Sequence, residues 1–273
     1  MTRILHLSDL HFGRERPDLL RPLIEIVNAL GPDLVAISGD LTQRARPGQF
    51  RAARVFIEAL AAPVLVVPGN HDTPLHNAFE RVLTPWRRYR RYISADLEPT
   101  WRGDDVTVHG VNTVNPLYWQ RGRMRRETTE RLCRAIAADP DRLHILVAHH
   151  PLEHLPDTRK RRTSGAERAL AALESCGAGA VLSGHLHLWR AGPFRAFGGL
   201  LLVQAGTGLS TRMRGEPNDF NLLTAAPGRL VVEQYAADDD TTDFRRRSLT
   251  IFRKEHGLWS EDLKGRVHAV ETR

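Results

Sequence analysis

Five short apolar runs recur along the chain: Ile4-Leu5-His6-Leu7, Leu34-Val35-Ala36-Ile37, Val64-Leu65-Val66-Val67, Ile145-Leu146-Val147-Ala148 and Val181-Leu182. Helix-like segments separate them, and runs of this kind predict the buried strands of a layered α/β fold. Between the first two, Leu20, Leu23, Ile24, Val27 and Leu30 repeat at helical spacing over Leu19 to Leu30, and Gly31-Pro32 ends the pattern. Pro47 opens a second helix that runs to about Leu60, with Phe50, Val55, Ile57 and Leu60 as its apolar contacts. Further helices are predicted over Thr128 to Ala138 and Ala166 to Ser175, and a strand over Val106 to Val111. Toward the C-terminus, Gly198 to Gln204, Asn221 to Thr224 and Arg229 to Tyr235 predict antiparallel strands, the last two joined at Pro227-Gly228. One more strand, Ser248 to Phe252, precedes a basic tail, and Asp238-Asp239-Asp240 is a solvated turn.

No internal repeat and no linker rich in Gly, Ser or Pro divides the chain, so the expectation is one domain over residues 1–273. Small cap elements are expected within 74–104 and 112–126, where the periodicity loosens. The first of these contains Trp86-Arg87-Arg88-Tyr89-Arg90-Arg91-Tyr92. Such a stretch suits single-stranded nucleic acid if the aromatics stack on bases. The reading preferred here is a helix with aromatics inward and arginines solvated.

Composition narrows the class. At 273 residues, 41% hydrophobic and 26% charged, the chain is long enough for a substantial core and is not disordered in character. A formal charge of +7 suits an anionic partner, although a generally Arg-rich protein would look the same. Cys133 and Cys176 make no disulfide framework and are expected to be small buried fillers in a reducing compartment. The chain enters a strand almost at once and has no long apolar run, so neither a signal peptide nor a membrane span is expected. A cytoplasmic location is the resulting expectation.

Each apolar run is followed by residues that carry chemistry. Asp9-Leu10-His11, Gly39-Asp40, Gly69-Asn70-His71-Asp72, His149-His150 and Gly184-His185-Leu186-His187 stand at the five ends. Open α/β sheets place their sites at the carboxyl ends of strands, so these groups are expected to converge. Asp9 with His11, and His185 with His187, are two residues apart and can share a face. Oxygen and imidazole donors without a thiolate suit Mn²⁺, Fe or Zn²⁺ better than Ca²⁺ or Mg²⁺. Seven donors exceed one tetrahedral centre and suit two cations sharing a carboxylate.

In this order and spacing, Asp9-x-His11, Gly39-Asp40, Gly69-Asn70-His71-Asp72, the His149 block and Gly184-His185-x-His187 resemble the five motifs of the calcineurin-like metallophosphoesterases, over roughly residues 4 to 188. The resemblance implies a four-layer α/β-β/α sandwich with two mixed sheets. It implies that Asp9, His11 and His187 hold one metal ion with Asp40, that Asn70, His149 and His185 hold a second, and that Asp40 bridges them. It further implies attack by a metal-bound hydroxide, with His71 beside the phosphoryl group or leaving oxygen and Asp72 orienting His71. Of the other histidines, His150 is a candidate to line the pocket, His6 and His109 are packing residues within strands, His76 belongs to a helix surface, and His154 is distant.

Gly206-Thr207-Gly208 and Arg212-x-Arg214-Gly215-x-Pro217-Asn218-x-Phe220-Asn221 resemble more loosely the bacterial branch similar to class III cyclic-nucleotide phosphodiesterases. Arg212 or Arg214 could hold a phosphate there; a tight turn with exposed arginines is the alternative. The basic run Arg159-Lys160-Arg161-Arg162 could reach over the site or simply be solvated. The function expected is hydrolysis of a small phosphodiester, of cyclic-nucleotide or glycerophosphodiester type. A nuclease, a phosphomonoesterase and a non-catalytic scaffold are the competing readings, and the intact donor set argues against the last.

Overall fold

Alternation in β1 (Thr2–Leu7) divides the core in two: Leu5 and Leu7 point into one apolar cluster and Ile4 into another. The same division runs through β2 (Leu34–Ile37), where Val35 and Ile37 face one way and Leu34 and Ala36 the other. In this computed structural model, residues 1–75, 77–153, 162–237, 240 and 242–263 are described. His76, His154, Arg159 to Arg161, Asp238, Asp239 and the tail from residue 264 onward lie outside the described residues.

The first sheet has seven strands, in the order β13 (Leu258–Glu261), β12 (Phe244–Glu255), β11 (Arg229–Ala237), β10 (Asn218–Ala226), β1, β2 and β3 (Val64–Val66). Its β1, β2 and β3 run parallel, while β10 joins β1 antiparallel with His6 opposite Asn221. The second sheet has six, in the order β4 (Thr100–Arg102), β5 (Val106–Val111), β6 (Leu143–Ala148), β7 (Ala180–Ser183), β9 (Leu201–Gln204) and β8 (Arg190–Pro193). Both sheets are therefore mixed.

One cluster joins the two sheets face to face, with Ile4, Leu34, Ala36 and Val67 against Val108, Ile145, Val147 and Leu182. On the outer face of the first sheet, Leu19, Leu23 and Val27 of α1 (Pro17–Leu30) and Phe50, Ala53 and Phe56 of α2 (Pro47–Glu58) cover Leu5, Leu7, Val35 and Ile37. On the outer face of the second, Leu132 and Ile136 of α5 (Arg126–Ala137) and Leu170 and Leu173 of α6 (Ala166–Ser175) cover Leu146, Val181 and Leu202. Each fully buried Leu, Ile or Val of this kind contributes about 1.5–3 kcal/mol. The result is the expected layering of helices, sheet, sheet and helices.

Three features differ from the sequence expectations. The strand over Leu201–Gln204 pairs parallel with β7 and antiparallel only with β8, because it returns beside a strand distant in the chain. Short edge strands β4, β8 and β13 were not foreseen, since half-buried edges lack apolar alternation. Cys133 and Cys176 are bonded to each other, not separate fillers. Side-by-side packing of α5 and α6 brings their Cα atoms to 5.4 Å, within disulfide range. The pair thus gives no ground for reading a reducing compartment.

Residues 74–104 hold α3 (Ala78–Leu83), α4 (Arg87–Tyr92) and β4. In α4, Tyr89 is fully buried with its hydroxyl on the Val66 carbonyl at 3.1 Å, and Tyr92 stacks on Phe50, while Arg87, Arg90 and Arg91 face solvent. The inward arrangement of the aromatics is the one observed. No helix among the described residues is long and apolar enough to cross a membrane.

Candidate metal centre

The carboxyl ends of β1, β2 and β3 in one sheet and of β6 and β7 in the other deliver Asp9, His11, Asp40, Asn70, His149, His150, His185 and His187 to one place. Five of the seven non-glycine residues with positive φ among those described are Asp9, His11, Asp40, His185 and His187. Left-handed backbone is costly for residues with a Cβ, and its concentration here marks a site that the surrounding fold holds in place. The motif glycines explain themselves in the same geometry. A Cβ on Gly69 would collide with the backbone and carboxylate of Asp40, and one on Gly184 with Ser8 Oγ and Asp9.

Each donor is aimed by a second contact. Asp9 Oδ2 accepts from Ser8 Oγ at 2.6 Å and from the His185 N–H at 2.8 Å. This leaves Oδ1 facing the two imidazoles, 3.1 Å from His187 Nε2 and 3.5 Å from His11 Nε2. Asp40 Oδ1 accepts the His71 N–H at 2.8 Å, and its Oδ2 lies 3.3 Å from His149 Nε2 and 3.7 Å from His11 Nε2. His149 Nδ1 donates to the Ser38 carbonyl at 2.8 Å and His187 Nδ1 to the Arg212 carbonyl at 2.7 Å. A carbonyl only accepts, so these contacts turn each Nε2 toward the cluster, as carbonyl partners do for metal-binding imidazoles.

The donors face one another closely. His11 Nε2 and His187 Nε2 are 3.3 Å apart, and His149 Nε2 is 3.1 Å from both Asn70 Oδ1 and His185 Nδ1. Lone pairs and carboxylate oxygens at these separations repel unless a proton or a metal cation lies among them. Protonation shows the same demand. Burial disfavours charge on His149, but Asp40 and then Asp9 hold its pKa up at about 9. Burial would raise the carboxyls of Asp9 and Asp40, yet His187 and His11 beside the first, and His149 and His71 beside the second, keep both well below the usual range. Asp9, His11 and His187 could hold a metal ion, as could Asp9, Asp40 and His149, and as could His149, His150 and His185. The residues therefore fit cationic occupants, and the donor set is nitrogen and oxygen only.

His71 sits edge-on to His11, with ring centroids 4.9 Å apart. Its Nδ1 donates to the Gln43 carbonyl at 2.8 Å, and its Nε2 accepts from Arg212 Nη1 at 3.2 Å. Burial lowers its pKa, outweighing Asp40, so the imidazole is neutral and the guanidinium can approach it. Asp72 does not touch the His71 ring. Its carboxylate takes the N–H groups of Leu41, Thr42 and Gly69 at 3.1, 2.8 and 2.9 Å, so it orients His71 indirectly by fixing the loop that offers the Gln43 carbonyl.

His150 joins the cluster, with Nδ1 2.9 Å from Thr113 Oγ1 and its ring 4.6 Å from that of His185. Arg212 reaches the site through both side chain and carbonyl, whereas Arg214 is exposed and makes no contact with the cluster among the described residues. His6, on the inner face of β1, bonds Ser38 Oγ at 2.9 Å, and burial lowers its pKa to about 3. His109 pairs with His144 at 3.0 Å, so both are packing residues away from the cluster. Sequence reading missed Gln43, Thr207 and Asp219. Thr207 Oγ1 donates to the Asp9 carbonyl at 2.8 Å, and Asp219 accepts the Gly206 N–H at 2.7 Å. The Gly206-Thr207-Gly208 run was a signal for Thr207, but only its glycines suggested a role.

The sequence pattern of the calcineurin-like phosphoesterases matches residues 2–188. Over 203 residues the chain is 28% identical to a cAMP/cGMP dual specificity phosphodiesterase of Mycobacterium tuberculosis, covering 67% of this chain and 61% of that protein. Over 80 residues it is 34% identical to a glycerophosphodiester phosphodiesterase of Enterobacter lignolyticus, covering 25% of this chain and 29% of the relative. The chain thus spans less than two thirds of either relative's length. A purple acid phosphatase from yellow lupin (Lupinus luteus) seeds shares the fold, with TM-score 0.66, 15% identity, and coverage of 88% of this chain and 52% of that one.

Proposed function

Because the chain belongs to the calcineurin-like phosphoesterases, we propose that it hydrolyses small phosphodiesters of cyclic-nucleotide or glycerophosphodiester type with two metal ions bound. The observation that carries this reading is Asp40 Oδ2, which faces His149 Nε2 at 3.3 Å and His11 Nε2 at 3.7 Å and so suits a shared ligand. Asp9, His11 and His187 would hold one ion, and Asn70 and His185, each 3.1 Å from His149 Nε2, would with His149 hold the other, with Mn, Fe or Zn matching their chemistry. Bound cations supply Lewis-acid stabilisation of the phosphoryl oxygens and lower the pKa of water.

The chain's own residues do the rest. Arg212 takes a non-bridging phosphoryl oxygen, exchanging its His71 contact for a charge-assisted one. His71, held through Nδ1 by Gln43, presents an unprotonated Nε2 that, once Arg212 has turned to the phosphate, takes a proton from the attacking water and returns it to the departing alkoxide. His150 lines the wall on the His185 side. The phosphodiesterase activities of the two bacterial relatives support a diester substrate. The buried Tyr89 and stacked Tyr92 weigh against base stacking on α4, and hence against a nuclease.

The test compares bis(p-nitrophenyl) phosphate with p-nitrophenyl phosphate, using Mn²⁺-loaded protein and the His71→Ala and Asp40→Ala variants as controls. Diester turnover lost in both variants is the expected result. Preference for the monoester would move the protein to phosphomonoester chemistry, and failure to bind metal would end the mechanism.

A further inference from the structure

Ten large apolar side chains are exposed among the described residues, and six of them lie on two segments that touch. Phe79, Val82 and Leu83 are on α3, and Leu117, Tyr118 and Trp119 are at the tip of the loop after β5, with exposures from 49% to 81%. Isolated apolar residues on a surface need no explanation, but a contiguous group does.

The group is held in place by a buried cation. Arg81, on α3 and 8% exposed, donates from Nε to the Pro116 carbonyl at 2.7 Å and from Nη2 to the Tyr118 carbonyl at 3.0 Å. Its guanidinium lies 5.4 Å from the centroid of the Trp119 ring, and no carboxylate pairs with it among the described residues. Its Nη1 donates to Thr73 Oγ1 at 2.8 Å, and that hydroxyl donates to the Asn70 carbonyl at 2.9 Å. The loop is closed at its base by the Arg123 N–H on the Thr113 carbonyl at 2.8 Å. Asn77 caps α3 by accepting the Glu80 N–H at 3.0 Å. Burying a guanidinium on carbonyls is costly, and here it keeps apolar side chains turned to solvent.

Charge along the two segments and their flanks is one-sided. Residues 77–92 contain five arginines and one acid, Glu80, and residues 112–126 contain four arginines and no acid. Glu80 is taken by Arg88 at 2.5 Å and Arg126 is paired with Glu130 at 2.7 Å. Arg87, Arg90, Arg123 and Arg125 stay exposed without an ion pair among the described residues.

We infer that this face docks on an anionic phospholipid bilayer, with α3 and the 117–119 tip entering the headgroup region and the unpaired arginines of the same stretches of chain meeting lipid phosphates. Anionic lipid supplies both things the face lacks, an apolar medium and counter-charge. A second copy would supply only the first, because a two-fold contact brings the same unpaired arginines together. The Arg81–Thr73–Asn70 chain of hydrogen bonds places the docked face beside the turn that carries Asn70. Docking does not depend on which ester the protein cleaves.

The test is sedimentation of the full chain with vesicles of phosphatidylcholine alone, and with vesicles containing about 30% phosphatidylglycerol, at low and high salt. Binding to the anionic vesicles alone, weakened by salt, is expected. Replacing Phe79, Leu83 and Leu117 together by Ser should reduce it on the order of tenfold or more. Arg87→Gln with Arg90→Gln should reduce it roughly fivefold for each arginine. Turnover of the soluble diester should be unchanged in both variants. Absence of binding to anionic vesicles at low salt overturns the inference. So does a triple Ser variant that binds like the parent, since net charge alone would then suffice. A dimer by light scattering that the triple Ser variant dissociates would assign the face to a second copy instead.

Discussion

Arg212 Nη1 donates to His71 Nε2 at 3.2 Å, while the Arg212 carbonyl takes the Nδ1–H of His187 at 2.7 Å. One residue thus serves the two halves of the site by different atoms, and substitution separates them. Arg212→Ala removes the guanidinium but keeps the carbonyl, so metal content should be unchanged. Loss of a charge-assisted donor to the phosphoryl group should lower kcat/KM for the diester about 10²-fold. Arg212→Lys keeps the charge but not the planar fork and should recover part of the loss. Steady-state kinetics beside metal analysis decides the matter: parent-like kcat/KM in the Ala variant, or lost metal, would contradict this role.

Crowded donors make stability depend on cations. With His11 Nε2 and His187 Nε2 3.3 Å apart, adding Mn²⁺ or Zn²⁺ should raise the melting temperature, and a chelator should lower it. Metal at about a hundred times its Kd corresponds to about 2.7 kcal/mol. In Asp40→Asn the amide oxygen can keep the His71 N–H, which turns the NH₂ toward His149 and His11. That variant should bind less metal and show a smaller thermal shift. An equal shift in the variant would count against a shared ligand at this position.

The cysteine pair gives a test of the fold independent of the site. Cys133 and Cys176 close a loop of sequence separation 43, for which chain entropy predicts about 4 kcal/mol. Denatured, unreduced protein should show no reactive thiol, and Cys133→Ala with Cys176→Ala should lower stability by about 2–4 kcal/mol. Diester turnover should persist, because α5 and α6 lie on the outer face of the second sheet. Two titratable thiols in unreduced protein would show that the bond does not form.

Sequence made the donor residues legible because each stands at the end of an apolar strand, where a motif and a strand end coincide. Asp9, Asp40 and His149 are of this kind. What stayed hidden acts through positions that no local pattern encodes. Gln43 serves by its carbonyl as well as its side chain, and Arg212 by both ends, so residue type alone could not separate these roles. Asp72 is expected to orient His71 only through the family resemblance; a tight turn sends its carboxylate back to the Leu41 and Thr42 N–H groups and not to the His71 ring. The polar run Arg245-Arg246-Arg247 likewise hid the start of β12, where Phe244 alone points to the core.

Asp219 carries the last prediction. It is fully buried at the foot of the loop that bears Thr207 and Arg212, accepting the Gly206 N–H at 2.7 Å and the Gln234 amide at 3.4 Å. Burial, reinforced by Glu216 and Asp9 and only partly opposed by those two donors, pushes its pKa up to about 8. An unfolded aspartate titrates near 3.9, so between about pH 4 and pH 8 the native chain keeps a proton that the unfolded chain has lost. The native state then binds more protons, and stability falls as pH rises through that window, by at most about 1.4 kcal/mol per pH unit. The stabilisation is full below the unfolded pKa and is lost by the folded one. Asp219→Asn keeps an acceptor for Gly206 and does not titrate. Its unfolding free energy should fall less steeply than the parent's from pH 5 to pH 7.5, and the variant should be the more stable protein at the upper end. Urea denaturation of both proteins across that range, at fixed metal, reads the difference directly. Parallel curves would mean that Asp219 is ionised in the native protein, and its place under the loop would then need another counter-charge.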